Sequence, residues 1–350
     1  MNSLTVALAS LGGVVLAGVV AHGAWQARRA GPKRASTPER AEPSASAPSD
    51  RESAGIDDDG SPADPVEAPA RRLSRRVSVP LDALIDAIAP ITLEAPVAGE
   101  AVLVHLPSKR HVGSKLVGVE GLDTETGEWQ APVAGRRYGE LQAGVQLASR
   151  TGALNEIEYS EFVQRMQAFA DAIGASIDPP DMLDVMARAR ELDAFASQHD
   201  AQLAVHLHAR GAAWSVGYIQ QHARRHGFVP GVVPGRLVYP AAEEGAPPVL
   251  TLTFDSQAAL ADEPDRASVR DVTLAFDVPQ TAPAAEPFKA WQAAAQALAV
   301  GMDAQVVDDD GRPLSEPGFA AIGAELGQLY EALETRDLAS GSPTARRLFS

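Results

Sequence analysis

The sequence predicts an α+β protein: an antiparallel sheet with helices on one face, a split βαβ build, carried behind an N-terminal transmembrane helix and a disordered linker. Three observations predict it. Residues 4–25 form one long apolar run without an acid, Lys or Arg. The next stretch, residues 26–79, is rich in Pro, Ala, Ser and charge. From Pro80 onward, short alternating segments alternate with longer segments whose apolar residues recur every three or four positions.

The apolar run reads LTVALASLGGVVLAGVVAHGAW. A helix of about 22 residues rises roughly 33 Å, enough to cross a hydrocarbon core of about 30 Å. Arg28, Arg29, Lys33 and Arg34 follow it, and only Met1, Asn2 and Ser3 precede it. Basic flanks stay on the cytoplasmic side, so the N-terminus is expected outside and the body inside. The alternative, a cleaved signal peptide, calls for a basic leading region and a small-residue cleavage site, and neither is clear.

Composition narrows the function. The 350 residues carry a net charge of -16, which disfavours non-specific nucleic-acid binding. There is no cysteine, and so neither a disulfide framework nor thiol chemistry. In residues 26–79, prolines at 32, 38, 43, 48, 62, 65 and 69 separate isolated apolar residues. Such a segment buries too little to offset its ordering entropy and reads as a flexible tether. Arg71, Arg72, Arg75 and Arg76 could meet anionic lipid, or form a solvated basic stretch at the domain boundary.

Residues 80–199 read as an α+β region. Leu81, Leu84, Ile85 and Ile88 have helical spacing, so a helix is expected to open it. A strand is expected at 91–97, a helix at 98–106, and strands at 115–120, around Trp129 and at 138–148. Phe162, Val163, Met166, Phe169, Ala170 and Ile173 then share one helix face, with Ser160 as cap and Gly174 as stop. Asp181 caps a second helix whose face is Met182, Val185, Met186, Ala189, Leu192 and Ala196.

Residues 200–335 restart the pattern. Leu203, Val205 and Leu207 alternate with Ala204, His206 and His208, a half-buried strand. A helix from Ser215 to Gly227 precedes strands at 236–239, 249–254 and 270–278. Pro287 suits the first turn of a helix lined by Phe288, Trp291, Ala295, Leu298 and Met302. A short strand at 305–307, an Asp-rich turn and a helix from Ser315 complete the order, and residues 336–350 read as a tail. Both halves thus run strand, helix, strands, helix, short strand, helix. FVQRMQAFADAIG also resembles FKAWQAAAQALAVG with one gap. The two halves read as divergent copies of one unit.

No constellation for catalysis is present: no nucleotide loop, dinucleotide turn, nucleophile elbow or paired-His zinc helix. No cofactor and no small-molecule substrate are expected. His206 and His208 share one side of a strand, half of a metal site, but no further ligand cluster accompanies them. Asp308 to Asp310 lack the later Glu of a calcium loop. Glu156, Glu158 and Glu161 suit a helix N-terminus better than acid catalysis.

Three stretches carry a family resemblance. His22-Gly23-Ala24-Trp25 followed by Arg28-Arg29, the segment QQHARRHGFVP at 220–230, and VTLAFDVP at 272–279 with the later VVDDDGRPLS resemble the ZipA family of bacterial division proteins. The domain resemblance spans roughly 200–335. It implies a protein-binding role: the domain takes the C-terminal tail of FtsZ across its open sheet face, and the span places the protein in the inner membrane with a periplasmic N-terminus. Sheet physics agrees, since helices on one face leave the other available. By alternation that face shows Ala204, His206 and His208, then Thr251, Thr253 and Asp255, then Thr273, Ala275 and Asp277. Val233 falls in a loop where the family has a large apolar groove residue. The chain departs from the family where Ala275 replaces a Phe and where a Met is usual near Asp255. The alternative function is a membrane-anchored adaptor of the same build with a different cytoplasmic or cell-wall-synthesis partner.

Overall fold

A computed structural model describes residues 80–261, 263 and 267–350. The span expected at 4–25 and the linker expected at 26–79 lie outside the described residues. Among the described residues, no helix is long and apolar enough to cross a membrane.

The first half runs β1 (Asp86–Leu93), β2 (Val97–Ala98), α1 (Gly99–His105), β3 (His111–Val112), β4 (Lys115–Asp123), β5 (Trp129–Gln130) and β6 (Arg137–Gln146). The hairpin β7 (Ala148–Ser149) and β8 (Gly152–Ala153) leads into α2 (Glu156–Ala172), β9 (Ala175–Ile177) and α3 (Met182–His199). Its sheet is ordered β3-β4-β6-β1-β9, and the neighbouring strands are antiparallel. Ala87, Ala89 and Ile91 of β1 face the helices and are buried with Phe162, Met166 and Phe169 of α2 and Val185, Met186 and Ala189 of α3.

The second half runs β10 (Gln202–Ala209), α4 (Val216–Arg225), β11 (Val229–Pro230), β12 (Arg236–Tyr239), β13 (Leu250–Thr253), α5 (Ser256–Ala259) and β14 (Asp271–Asp277). Then come α6 (Pro287–Met302), β15 (Ala304–Val307), α7 (Glu316–Thr335) and α8 (Pro343–Leu348). Its sheet is ordered β11-β12-β13-β14-β10-β15, again antiparallel. Without the extra edge strand β11, both sheets follow one path: β3, β4, β6, β1 and β9 occupy the places of β12, β13, β14, β10 and β15. Leu203, Val205 and Leu207 face the helices with Val272, Leu274 and Phe276. Trp291 of α6 seals this core; its indole N–H donates to the Leu274 carbonyl at 2.9 Å.

Two local expectations are corrected. The opening helix expected from Leu81 to Ile88 is a turn followed by β1. Its core side is filled by Ala87 and Ala89, too small to announce a period of two, so the larger Leu and Ile residues imitate a helical stripe. The helix expected to start at Ser160 starts at Glu156. Asn155 caps it: its Oδ1 accepts from Ile157 N and Glu158 N, while Glu158 Oε2 accepts from Asn155 N. Gly174 follows at a positive φ of 68°, a conformation that favours glycine.

Residues 336–350 are more than a tail. Leu338, Ala345, Leu348 and Phe349 are buried in the core of the first half. Arg347 holds Asp86 through two bonds, Nη1 to Oδ2 at 2.8 Å and Nη2 to Oδ1 at 2.6 Å, with both side chains almost wholly buried. Leu333, at the end of α7, is also buried there, so α7 spans from one core to the other. Arg150, in the β7–β8 turn, adds a second link: it pairs with Asp200 and with Asp277, the latter at 2.7 Å.

Candidate peptide-docking face

The face of the second sheet opposite the helices is built by register. Val229 pairs with Val238, Val238 with Thr251, Thr251 with Ala275, and Ala275 with Ala204. These five residues form one row across five strands, apolar except for the Thr251 hydroxyl. The next row is polar: Arg236, Thr253, Thr273 and His206. His208 and Asp271 form a third pair.

The residues expected from alternation therefore divide. Ala204, Thr251, Ala275, Thr253, Thr273, His206 and His208 share this one face. The first row runs out to the β11 edge, where Val229 and Val233 are exposed and Val232 is fully so. Val233 thus lies in an exposed loop beside the edge. Asp255 is corrected: it lies past the end of β13 and caps α5, accepting from Gln257 N at 2.9 Å. Asp277 keeps its place on this face by register, paired with Gln202. It is at the far end of β14, tied to Arg150 of the first half, and burial raises its carboxyl pKa while the Arg150 bond opposes that.

Electrostatics order the polar row. His206 Nε2 lies 2.8 Å from Asp309 Oδ1, and Nδ1 lies 3.0 Å from Thr273 Oγ1. The Asp309 bond raises the imidazole pKa, with burial acting against it. His208 Nδ1 meets Asp271 Oδ1 at 2.6 Å. Both histidines are thus engaged by carboxylates on the surface. Among the described residues, no three His, Cys, Asp or Glu side chains are grouped to hold a metal. Alternation could find the face; it could not find Val238 and Val229, whose places depend on the register of the β11–β12 hairpin.

The first half offers a titratable group of its own. Lys115 is buried, and its ammonium donates to Ser149 Oγ, Thr151 Oγ1 and the Gly152 carbonyl at 3.0, 3.2 and 2.5 Å. Burial lowers its pKa, with the nearby Glu158 and Asp193 carboxylates acting against that. Through these three bonds Lys115 braces the β7–β8 hairpin.

No curated protein matches the chain. Residues 253–325, from the end of β13 into α7, match the family model for ZipA, C-terminal FtsZ-binding domain, a protein-binding rather than an enzymatic family. By that match, the segment that carries α5, β14, α6 and β15 is ZipA-like.

Proposed function

We propose that the protein is a membrane-tethered adaptor of cell division that binds the C-terminal tail of FtsZ and links FtsZ filaments to the inner membrane during septum assembly. In this reading the apolar run at 4–25 spans the inner membrane, the N-terminus is periplasmic, and the body works in the cytoplasm on the tether at 26–79. The tail lies across the row of Ala204, Ala275, Thr251 and Val238, with apolar side chains on the row and main-chain groups toward the polar row beside it. The observation that carries the reading is this unbroken row, open at the Val229–Val233 edge, in a domain whose residues 253–325 match an FtsZ-binding family.

The row is shallow and small-sided, which suits a modest affinity for a single tail. A tether and a polymer presenting many tails convert modest affinity into firm attachment. Co-sedimentation with polymerised FtsZ tests the proposal: the chain pellets with polymer and stays in solution when FtsZ lacks its C-terminal tail. Pelleting that ignores the tail, or none at all, refutes it. The polarity of the second row, with Arg236 and His206, favours one alternative, an adaptor of the same build with another partner. Absence of FtsZ pelleting selects it.

A further inference from the structure

The first half shows what a chain segment does on the equivalent row. The central strands begin in matching register: Asp86 pairs with Gln146 as Gln202 pairs with Asp277. Two residues on, Ile88, Gly144 and Gly118 stand where the second half has Ala204, Ala275 and Thr251. Gly144 and Gly118 are paired neighbours, so the absence of two side chains opens a slot in this face. Leu81 fills it. A Cβ at Gly144 falls 2.6 Å from Leu81 Cδ2, and one at Gly118 falls 2.9 Å from the same atom.

Polar contacts hold the segment on both sides. Leu81 N donates to Glu120 Oε1 at 2.9 Å, and the buried Glu120 also accepts from Gln142 Nε2 at 2.8 Å. Arg347 Nη1 donates to the Pro80 carbonyl at 3.1 Å, and Thr344 Oγ1 lies 3.1 Å from Asp82 Oδ2. This is peptide recognition in miniature: an apolar side chain in a slot, its N–H on a carboxylate, the preceding carbonyl on a guanidinium. Glu120 and Gln142 occupy the positions of Thr253 and Thr273, the polar row of the second half.

We infer that the Gly118–Gly144 slot is a second tail-docking site of the protein, closed in cis by Leu81, so that each chain takes one tail instead of two. This rests on the function proposed above. The ligand is an extended segment that presents an aliphatic side chain and its own N–H to Glu120. The occupant is held just ahead of β1, so the slot opens when the Leu81 side chain is removed or the strap at residues 80–82 is lifted.

The test uses three full-length chains: wild type, Leu81→Gly, and Leu81→Gly with Gly118→Val. With Leu81 gone, nothing else stands within 4 Å of a Cβ at Gly118, so the valine side chain starts into the vacated slot. Two labelled peptides are titrated by fluorescence anisotropy, one with residues 77–84 of this chain and one from the FtsZ C-terminus. The expected result is no strap-peptide binding to wild type, one equivalent on Leu81→Gly, and none on the double variant. The FtsZ peptide binds with one equivalent on wild type, two on Leu81→Gly and one on the double variant. Strap-peptide binding with the FtsZ stoichiometry still at one on Leu81→Gly overturns the inference and leaves the proposed function intact. Absence of FtsZ-peptide binding to every chain overturns both. Melting temperatures within about 3 °C of each other show that the variants are folded.

Discussion

Arg347→Met tests whether the C-terminal segment is integral to the fold. In the native chain the fully buried Asp86 carboxylate accepts from Arg347 Nη1 and Nη2 and from Asp82 N. Methionine keeps most of the apolar stem but leaves Asp86 with only the Asp82 amide. Breaking one side of a buried ion pair costs roughly 3–5 kcal/mol, because the remaining charge is desolvated without compensation. The bond from Arg347 to the Pro80 carbonyl goes as well, adding about 1 kcal/mol. For a fold of this size each kcal/mol moves the midpoint by roughly 2–4 °C, so a drop of about 10 °C or more is expected. The assay is thermal denaturation followed by tryptophan fluorescence and circular dichroism. Asp86→Leu in the Arg347→Met background should recover part of the loss, since a buried pair replaced on both sides by apolar groups is often near neutral. Arg347→Met melting within about 2 °C of wild type would refute the reasoning, since the buried Arg347–Asp86 pair would then contribute nothing to holding the segment on the first core.

Other expectations concern the second core, the polar row and the anchor. Leu274→Asp places a carboxylate at a fully buried position beside Trp291 and should unfold the second half, seen as loss of near-ultraviolet dichroism; an unchanged melt means the strand faces are inverted. His206 has a folded pKa raised above the ordinary imidazole value of about 6.5, so its contribution is full below that value and is lost as pH rises through the folded pKa. An NMR titration should show the raised value, and Asp309→Asn should bring it down; no change in that variant removes Asp309 as the cause. Removing residues 1–27 should release the protein from the membrane fraction on cell fractionation, and retention there rules out the apolar run as the anchor.

Much of the fold was legible because large side chains repeat on one face. Phe162, Met166 and Phe169 mark α2, and Leu203, Val205 and Leu207 mark β10, because each element buries one side against a core. β1 was misread because its core side is Ala87 and Ala89 and its outer side carries Asp86 and Pro90. Small residues under packed helices leave no hydrophobic rhythm. The role of the C-terminal segment was not legible either. What fixes α8 is a bond between Arg347 and Asp86, 261 positions apart, and no local pattern records such a pairing.

The docking face was partly legible for the same reason. Alternation in β10, β13 and β14 places Ala204, Thr251 and Ala275 on one side, and the register joins them into one row. Asp277 follows the same alternation, yet Arg150 of the first half claims it. Asp255 follows it too, but the strand ends at Thr253 and its side chain caps the next turn. Alternation assigns a face only as far as the strand and its neighbours extend.

The central claim is that a peptide lies on the row through Thr251 and Ala275. The most direct measurement is a fluorescence titration of a labelled FtsZ C-terminal peptide with the wild-type chain and with Thr251→Lys, a part-exposed site where a long charged side chain blocks the row without disturbing the core. The account predicts saturable 1:1 binding to wild type and at least a tenfold weaker complex with Thr251→Lys, a loss of about 1.4 kcal/mol at an equal melting temperature. Equal affinity for both chains contradicts the placement of the tail on this row, and no binding by wild type contradicts the function itself.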